Sequence, residues 1–355
     1  MSGISRWLQL AVELNASDIF IGVGRCISFK IDGIITRQND APIKIDEVDT
    51  IISELYALAR RPMDHYIKTG DDDFSISMPG LARFRVSAYQ QRGTKAAIIR
   101  VVHFSLPDYR ELNIIEEVIS VSTLRHGLAL VTGSAGSGKT TTLACIIDKI
   151  NKTRNGHIIT LEDPIEHLHR DNKSIISQRE ISTDSESYLR ALRACMRQAP
   201  DIILIGELRD HETIRTAMTA AETGHLVIST LHTVGATNTI DRIIDVFPPN
   251  QQQQIRVQLS MVLQVVISQQ LIPRKSGGLI PAFEIMHRNN AVRNLIRESK
   301  IHQIDSVIQT SKADGMISMD AFLYNLYQKN EVTAETTVDY SIDAQQMAKR
   351  LGLGA

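Results

Sequence analysis

The chain has 355 residues, with 39 basic and 40 acidic side chains and a formal net charge of −1. Charge so nearly balanced gives no basic surface in bulk, and we therefore expect no direct nucleic-acid partner. A chain of this length exceeds what one compact core usually supports, which predicts two domains with some further helical structure.

No apolar run reaches the about 18 residues that suggest a membrane span, and residues 1–11 lack the features of a secretory signal. We therefore expect a cytoplasmic protein without direct membrane insertion. The three cysteines, Cys26, Cys145 and Cys195, lie far apart and have no CxxC spacing. This predicts reduced thiols in the core rather than a disulfide framework or a zinc site.

The first predicted domain, residues 1–105, combines short strands with few helices. The pattern predicts helices at 4–14 and 48–60, and strands at 18–23, 27–31, 34–35, 74–77, 82–89 and 96–102. A turn at Asp32-Gly33 would join the early strands. Because helices do not alternate with strands, the pattern favours a small α+β domain. Residues 106–123 are predicted to form a linker.

From residue 124 onward the pattern changes to strand and helix in alternation. Strands are predicted at 128–131, 157–161, 202–205 and 226–230, and helices at 141–150, 185–196 and 212–222. Such alternation predicts a parallel sheet with helices on both faces. Ligands of such sheets bind at the carboxyl ends of the strands. Residues 124–250 are the predicted core of this α/β domain.

The last third of the chain is predicted to be helical. Residues 251–330 would form a helical part of the second domain, with the apolar stretch 259–271 as a buried core helix and a break at 275–278. Residues 331–355 are polar, and we expect one short helix followed by a loose end.

A glycine-rich segment that fits GxxxxGK[ST] lies between a predicted strand and a predicted helix. It reads Gly133, Ser134, Ala135, Gly136, Ser137, Gly138, Lys139 and Thr140. Glycines let successive backbone N–H groups turn inward around an anion, and the following helix adds the positive end of its dipole. The segment therefore predicts a phosphate-binding loop for a nucleoside triphosphate. We expect Lys139 to contact the β and γ phosphates, Thr140 to hold Mg²⁺ and Thr141 to contact the nucleotide.

Hydrolysis needs acidic groups that complete the metal site and orient a water molecule. Glu162 and Asp163 directly follow one predicted strand, and Glu207 follows the next one after Gly206. In many phosphate-loop enzymes an aspartate that binds magnesium stands where this chain has Gly206. We therefore expect Glu162 and Asp163 to supply the metal ligand and Glu207, with help from Glu162, to orient the water.

Two histidines flank the predicted strand 226–230. His232 would project from its carboxyl end, where a polar group can sense the γ phosphate and report its loss. His225 lies at the start of the strand and is the weaker candidate. An ordinary packed or surface histidine is the alternative for each of them.

Three segments that follow the phosphate loop resemble the Asp box, Walker B and His box of the type II/IV secretion ATPases. They are LEDPIE at 161–166, DIILIGELRD at 201–210 and ETGHLVISTLHT at 222–233. Within that superfamily, AVRNLIRE at 291–298 resembles the signature of retraction motors. The chain is therefore most similar to the PilT-type retraction ATPases of type IV pili.

The resemblance implies a PAS-like N-terminal domain, a RecA-like ATPase domain and a homo-hexamer with nucleotide bound between subunits. Arg85 and Arg100 match family arginines that reach the phosphates, with Arg83 and Arg92 as further candidates. An arginine supplied by a neighbouring subunit would stabilise the charge that develops during phosphoryl transfer. Ordinary charge on a strand surface is the alternative for these side chains.

The resemblance also implies a location and partners. The ring would work at the cytoplasmic face of the inner membrane on a pilus platform protein, together with a possible second, related motor. Arg293 and Arg297 would carry part of that coupling. Two alternatives stay open: a secretion or conjugation ATPase that exports protein or DNA, and a nucleotide-gated regulatory module that does no mechanical work.

Overall fold

The structure is a computed structural model, and it describes residues 3–31, 33–78, 80–102 and 106–353. Asp32 of the predicted turn, Ser105 at the predicted domain end and the last two residues of the tail lie outside the described residues. The chain divides into two compact units. The first contains residues 1–106 with 166–168, and the second contains residues 107–165 with 169–355.

The first unit is an antiparallel sheet with helices packed against it. Its helices are α1 (Gly3–Glu13), α2 (Ile45–Ala59) and α3 (Asp64–Thr69). Its strands are β1 (Asp18–Gly22), β2 (Ser28–Ile31), β3 (Ile34–Arg37), β4 (Asp71–Met78), β5 (Ala82–Gln91) and β6 (Thr94–Val102). The strands are ordered β3-β2-β1-β6-β5-β4. The α+β prediction for this part is thus confirmed, whereas α3 was not predicted.

One face of this sheet is buried and the other is not. Along β5 the buried Phe84 and Val86 alternate with the half-exposed Arg83 and Arg85. Period-two alternation places successive side chains on opposite faces, so the apolar set joins the core and the polar set faces outward. α2 packs against the sheet, and its Val48 and neighbouring apolar residues belong to the same core.

The second unit is built on a larger, mostly parallel sheet. Its strands are β7 (Gly127–Thr132), β8 (His157–Glu162), β9 (Ile175–Glu180), β10 (Ile202–Ile205), β11 (Leu226–Leu231), β12 (Leu263–Pro273) and β13 (Leu279–His287). They are ordered β13-β12-β7-β11-β10-β8-β9, and β13 alone of these runs antiparallel to its neighbour. The prediction of a parallel sheet with alternating helices is confirmed.

Helices of the second unit connect and cover these strands. They are α4 (Glu116–Ile119), α5 (Lys139–Thr153), α6 (Tyr188–Cys195), α7 (His211–Glu222), α8 (Ala236–Asp245), α9 (Pro249–Val262), α10 (Asn290–Arg297), α11 (Ile304–Thr310), α12 (Met319–Gln328), α13 (Ala334–Asp339) and α14 (Ala344–Arg350). The predicted linker therefore contains a short helix, and the tail has two helices instead of the expected one. Neither β9 nor α8 was predicted.

The mainly helical region predicted over residues 251–330 contains two strands, and the core helix predicted at 259–271 is wrong. α9 ends at Val262, and most of the stretch 259–271 that we expected as a core helix is strand β12. Periodicity cannot separate a buried strand from a buried helix in a short apolar run. The β-branched residues Val265, Val266 and Ile267 favour a strand, and β7 and β13 pair with it on its two sides. The predicted break is the turn between β12 and β13.

The three cysteines are free and buried, as predicted. Burial raises the pKa of Cys145 to about 12 and that of Cys195 to about 11, so both thiols stay protonated at neutral pH. Among the described helices none is both long and apolar enough to cross a membrane.

Candidate nucleotide site

The phosphate loop leaves β7 at Thr132 and enters α5 at Lys139. Gly133, Gly136 and Gly138 have φ angles of 144°, 76° and 86°, a region that favours glycine. At Gly133 the space is also closed, because an added Cβ would lie 2.2 Å from the backbone oxygen of Gln269. The strand, loop and helix predicted around the motif are all present.

Lys139 lies inside the loop rather than in solvent. Its side chain is buried, and Nζ donates to the backbone oxygens of Gly133, at 2.9 Å, and Ser134, at 2.7 Å. A buried ammonium group is costly unless it is paired. The loop carbonyls supply that pairing, and they hold the charge at the position where an anion would approach.

Ser137 gives an independent sign that the loop fits an anion. It is only 3% exposed, and its Oγ has no hydrogen-bond partner among the described residues. Buried polar groups are nearly always hydrogen-bonded, so an orphaned hydroxyl in such a loop fits a ligand that accepts from it. Ser134, Ala135 and Gly136 form the exposed tip of the loop.

The candidate metal ligands lie at the start of α5 and at the end of β8. Thr140 and Thr141 are half-buried in the first turn of the helix. Glu162 is buried, and its Oε1 accepts hydrogen bonds from Thr160 Oγ1 at 2.6 Å and Gln178 Nε2 at 3.2 Å. Asp163, directly after it, is exposed.

This donor set suits a magnesium ion that is shared with a nucleotide. In the part of the chain that the structure describes, no cluster of three or more His, Cys, Asp or Glu side chains is placed to hold a metal alone. Protein-bound Mg²⁺ usually takes one or two carboxylates, with phosphate and water oxygens completing the shell. A threonine hydroxyl and the carboxylates after β8 fit that mode.

Glu207 and His232 meet at the carboxyl edge of the sheet. Their strands, β10 and β11, are parallel neighbours, so both residues emerge at the same end. Glu207 Oε1 lies 3.4 Å from His232 Nε2, and Glu207 Oε2 accepts from Arg209 Nε at 2.7 Å. The Glu207 hydrogen bond and charge raise the pKa of Arg209.

Hydrogen bonds to backbone oxygens hold these strand ends in register. Thr230 Oγ1 donates to the backbone oxygen of Gly206 at 2.6 Å, and Leu208 N donates to that of Thr230 at 3.1 Å. On the other side, Gly206 N donates to the backbone oxygen of Leu161 at 2.7 Å. The ends of β8, β10 and β11, which carry Glu162, Glu207 and His232, are therefore fixed next to one another.

The structure explains why an aspartate is missing after β10. A Cβ on Gly206 would lie 2.8 Å from the hydroxyl of Tyr188 and 3.3 Å from the backbone oxygen of Leu161. No larger side chain fits without movement. Burial, followed by the charge of Asp163, raises the pKa of Tyr188 well above its usual range. Tyr188 thus stays a neutral phenol over the strand end.

Sequence reasoning missed both Tyr188 and Gln269 as residues of this region. Tyr188 opens α6, and nothing in its pattern distinguishes it from a core aromatic residue. Gln269 is one of three glutamines in the stretch 259–271, and its pattern does not distinguish it from Gln264 or Gln270. The structure buries it against the phosphate loop.

The structure does not bring His225 to the other candidates. It lies at the opposite end of β11 from His232, and its Nδ1 donates to the backbone oxygen of Ala220 at 2.9 Å. This bond ties the end of α7 to the start of the strand. The contact accounts for His225 without a ligand.

The candidate arginines of the first unit lie on neighbouring strands. Arg85 of β5 is directly opposite Arg100 of β6, and Arg100 is opposite Asp18 of β1, with 3.0 Å between Nε and Oδ1. Like charges directly opposite each other are destabilising. Asp18 offsets one of them, while Arg85 has no carboxylate partner within the described residues.

The two further arginine candidates of this unit lie on β5 and in the turn that follows it. Arg83 Nη1 donates to Ser77 Oγ at 3.0 Å across the β4–β5 pair. Arg92 has a φ of 49° in the turn between β5 and β6.

Arg293 and Arg297 share one side of α10, four residues apart. Asn289 caps the helix by accepting from Val292 N at 2.9 Å, and Val292 and Ile296 form its buried side. Arg297 is exposed and donates to Asn294 Oδ1 at 2.7 Å, whereas Arg293 is half-buried. The helix therefore offers a basic surface.

Comparison with known proteins covers nearly the whole chain. The sequence model of the family described as "Type II/IV secretion system protein" matches residues 2–337. The chain is 43% identical to the type IV pilus retractation ATPase PilT of Pseudomonas aeruginosa, over 94% of this chain and 96% of that protein. It is 41% identical to the twitching motility protein of Neisseria gonorrhoeae, over 90% of this chain and 85% of that protein.

A solved structure agrees with these matches. The crystal structure of the pilus retraction motor PilT with bound ADP superimposes with a TM-score of 0.88 at 41% sequence identity. The match covers 98% of this chain and 99% of that one.

Proposed function

We infer the function from one premise: this chain belongs to the Type II/IV secretion system protein family. It is an ATPase of the pilus-retraction type, and the work that its hydrolysis powers is the withdrawal of a type IV pilus. One observation carries the hydrolytic part: Glu207 and His232 meet 3.4 Å apart on adjacent strand ends of the sheet that carries the phosphate loop.

ATP is the substrate, and its phosphates bind at the loop from Gly133 to Thr140. Lys139 exchanges its loop carbonyl partners for phosphate oxygens, and Ser137 gains an acceptor for its orphaned hydroxyl. Thr140 and Glu162, with Asp163 beside it, would hold Mg²⁺. When bound, the ion neutralises charge that develops on the β and γ oxygens.

Glu207 accepts a hydrogen bond from the attacking water and aims it at the γ phosphorus. Attack forms the new P–O bond while the bond to the β,γ-bridging oxygen breaks. ADP keeps the bridging oxygen, phosphate takes the water oxygen, and the proton that the water loses passes by way of Glu207 to solvent. Arg209 Nε donates to Glu207 Oε2 at 2.7 Å, and this charge-assisted hydrogen bond orients the carboxylate. His232, in contact with Glu207, detects whether the γ phosphate is present.

The working assembly that we propose is a homo-hexameric ring. Arg85 and Arg100 of one subunit reach the phosphates held by its neighbour, so hydrolysis changes the contact between two subunits. The like charges that face each other across β5 and β6 support this role, because an incoming anion relieves them.

The ring works at the cytoplasmic face of the inner membrane and pushes on a pilus platform protein, with a second related motor as a possible partner. The basic surface of α10, with Arg293 and Arg297, contributes to that contact. The sequence identity of 41–43% with proteins of pilus retraction and twitching motility supports a role in retraction over the export of protein or DNA.

The test pairs enzyme activity with pilus movement. A strain lacking this protein is complemented with wild type, with Glu207→Gln or with the control Glu186→Gln, which alters an exposed ion pair between Glu186, just before α6, and Arg190 of that helix. We expect Glu207→Gln to bind nucleotide, to lose at least about 100-fold in kcat and to abolish retraction. The control should behave as wild type. Hydrolysis at the normal rate by the Glu207 variant would rule out the assigned role.

A further inference from the structure

Strand β12 reaches beyond its neighbour β7 and runs alongside the phosphate loop. The two strands are parallel, and their last paired residues are Ser268 and Thr132. Gln269 therefore follows at the level of Gly133, the first residue of the loop. The backbone oxygen of Gln269 fills the space where a Cβ of Gly133 would be.

The Gln269 side chain connects the loop to the helix that follows it. It is 2% exposed, and Nε2 donates to the backbone oxygen of Ser137 at 2.8 Å. Its Oε1 accepts from Thr142 Oγ1, also at 2.8 Å. Both bonds are buried, where a lost partner leaves a polar group unsatisfied. One amide thus fixes the end of the loop relative to the first turn of α5.

The adjacent residue of the same strand holds a different segment. Ser268 Oγ accepts from Gly235 N at 2.9 Å. Ser268 is paired with Glu284 of β13, and Glu284 Oε1 accepts from Ala236 N at 2.8 Å. Gly235 and Ala236 open α8, a few residues after His232. The end of β12 therefore contacts both the phosphate loop and the segment that follows His232.

We propose that Gln269 is a positioning residue that fixes the phosphate loop through Ser137 and Thr142. Ser268 and its β13 partner Glu284 bind the segment after His232 by accepting hydrogen bonds from Gly235 and Ala236. The inference rests on the proposed function and deepens its account of the nucleotide site.

The experiment compares Gln269→Leu with Gln270→Leu in the full-length protein. Both remove one amide from β12, but Gln270 donates to the backbone oxygen of Tyr340, far along the chain from the loop. We expect Gln269→Leu to bind a fluorescent ADP analogue about five- to tenfold more weakly and to raise KM for ATP by a similar factor. Its kcat should stay within about threefold of wild type.

Gln270→Leu should keep ADP affinity and KM within about twofold of wild type. Thermal melting of both variants separates loss of folding from loss of positioning. Wild-type affinity in a folded Gln269→Leu protein would overturn the inference, and so would an equal loss in both variants.

Two further variants test the bonds to Ser137 and Thr142 one at a time. They also keep the inference testable if the Gln269→Leu protein does not fold. Gln269→Glu keeps an acceptor for Thr142 but loses the donor to Ser137, and we expect it to resemble Gln269→Leu. Thr142→Val removes only the hydroxyl and should weaken ADP binding about two- to fourfold. Unchanged affinity in Thr142→Val, with Gln269→Leu unfolded, would count against the inference. If wild type itself bound no ADP, the proposed function would fail instead.

Discussion

The two sheets of this protein use polar residues in different ways. In the parallel sheet, strands β7 and β11 are buried along their whole length, and polar groups gather at the carboxyl ends, where hydrogen bonds hold them. In the antiparallel sheet, β5 alternates between core and surface, and its arginines lie on the open face. The parallel sheet thus carries hydrogen-bonded polar groups at one edge, whereas the antiparallel sheet carries arginines on its open face.

We propose separate tasks for the two sheets. Binding and water activation need side chains held to within a fraction of an ångström, and the hydrogen-bonded strand ends of the parallel sheet suit that need. Charges on an open strand surface need less precision, and they suit a contact that forms and breaks during a cycle. Substitutions at the edge of the parallel sheet should then cause a large loss of ATPase activity in the subunit that carries them. A substitution of an arginine should be compensated by a neighbouring subunit that keeps its own arginine.

The largest effect is expected from Lys139→Ala. Removing the buried ammonium group deletes the main positive charge of the phosphate loop, and we expect kcat/KM to fall by about 10³ or more. Steady-state ATPase assays and ADP titration measure it. Lys152→Ala is the matched control, because Lys152 lies on the same helix α5 but pairs with Asp148 at the surface. Normal turnover in the Lys139 variant would show that ATP is hydrolysed at another site.

A smaller loss, about 10- to 100-fold in kcat, is expected from Arg85→Ala. Its melting temperature should be unchanged or slightly higher, since one of two opposed like charges is removed. Lys95→Ala serves as the control, because Lys95 lies on β6 and pairs with Asp49 at the surface.

Mixing subunits tests whether Arg85 acts between them. A mixture of Arg85→Ala and Lys139→Ala subunits should recover part of the wild-type rate, because the second kind lends its arginine to an intact phosphate loop of the first. If the mixture is no more active than its two components, Arg85 acts within its own subunit or only in folding.

Sequence reasoning succeeded where one local pattern determines the local structure. The glycines of the phosphate loop demand their backbone conformation, and Glu207 and His232 follow strands whose carboxyl ends must share an edge. It failed at β12, because a short apolar run fits a strand or a helix equally well. Gln269 was missed for the same reason: its role depends on which strand lies beside the loop, a long-range pairing that no local pattern encodes.

The smallest effect concerns Glu284, which links β13 to α8 within the parallel-sheet unit. Burial raises its pKa above the ordinary value of 4.5, although bonds from the backbone N–H groups of Ala236 and Met319 oppose the shift. Below pH 4.5 the carboxyl is protonated in both the folded and the unfolded state. As the pH rises past that value the unfolded state ionises first, so this group lowers the free energy of unfolding until the pH passes its folded-state pKa.

Denaturant unfolding of wild type and Glu284→Gln between pH 4 and pH 8 measures this contribution. The amide cannot ionise, so the stability of wild type relative to the variant should decline with rising pH, by about 1.4 kcal/mol for each unit by which the pKa is raised. The variant also loses an acceptor, which lowers its stability by a similar amount at every pH and leaves the slope unaffected. If the free energy of unfolding varied with pH in the same way for both proteins, Glu284 would ionise equally in the folded and the unfolded state. Water would then reach this side chain in the folded protein more easily than its contacts indicate.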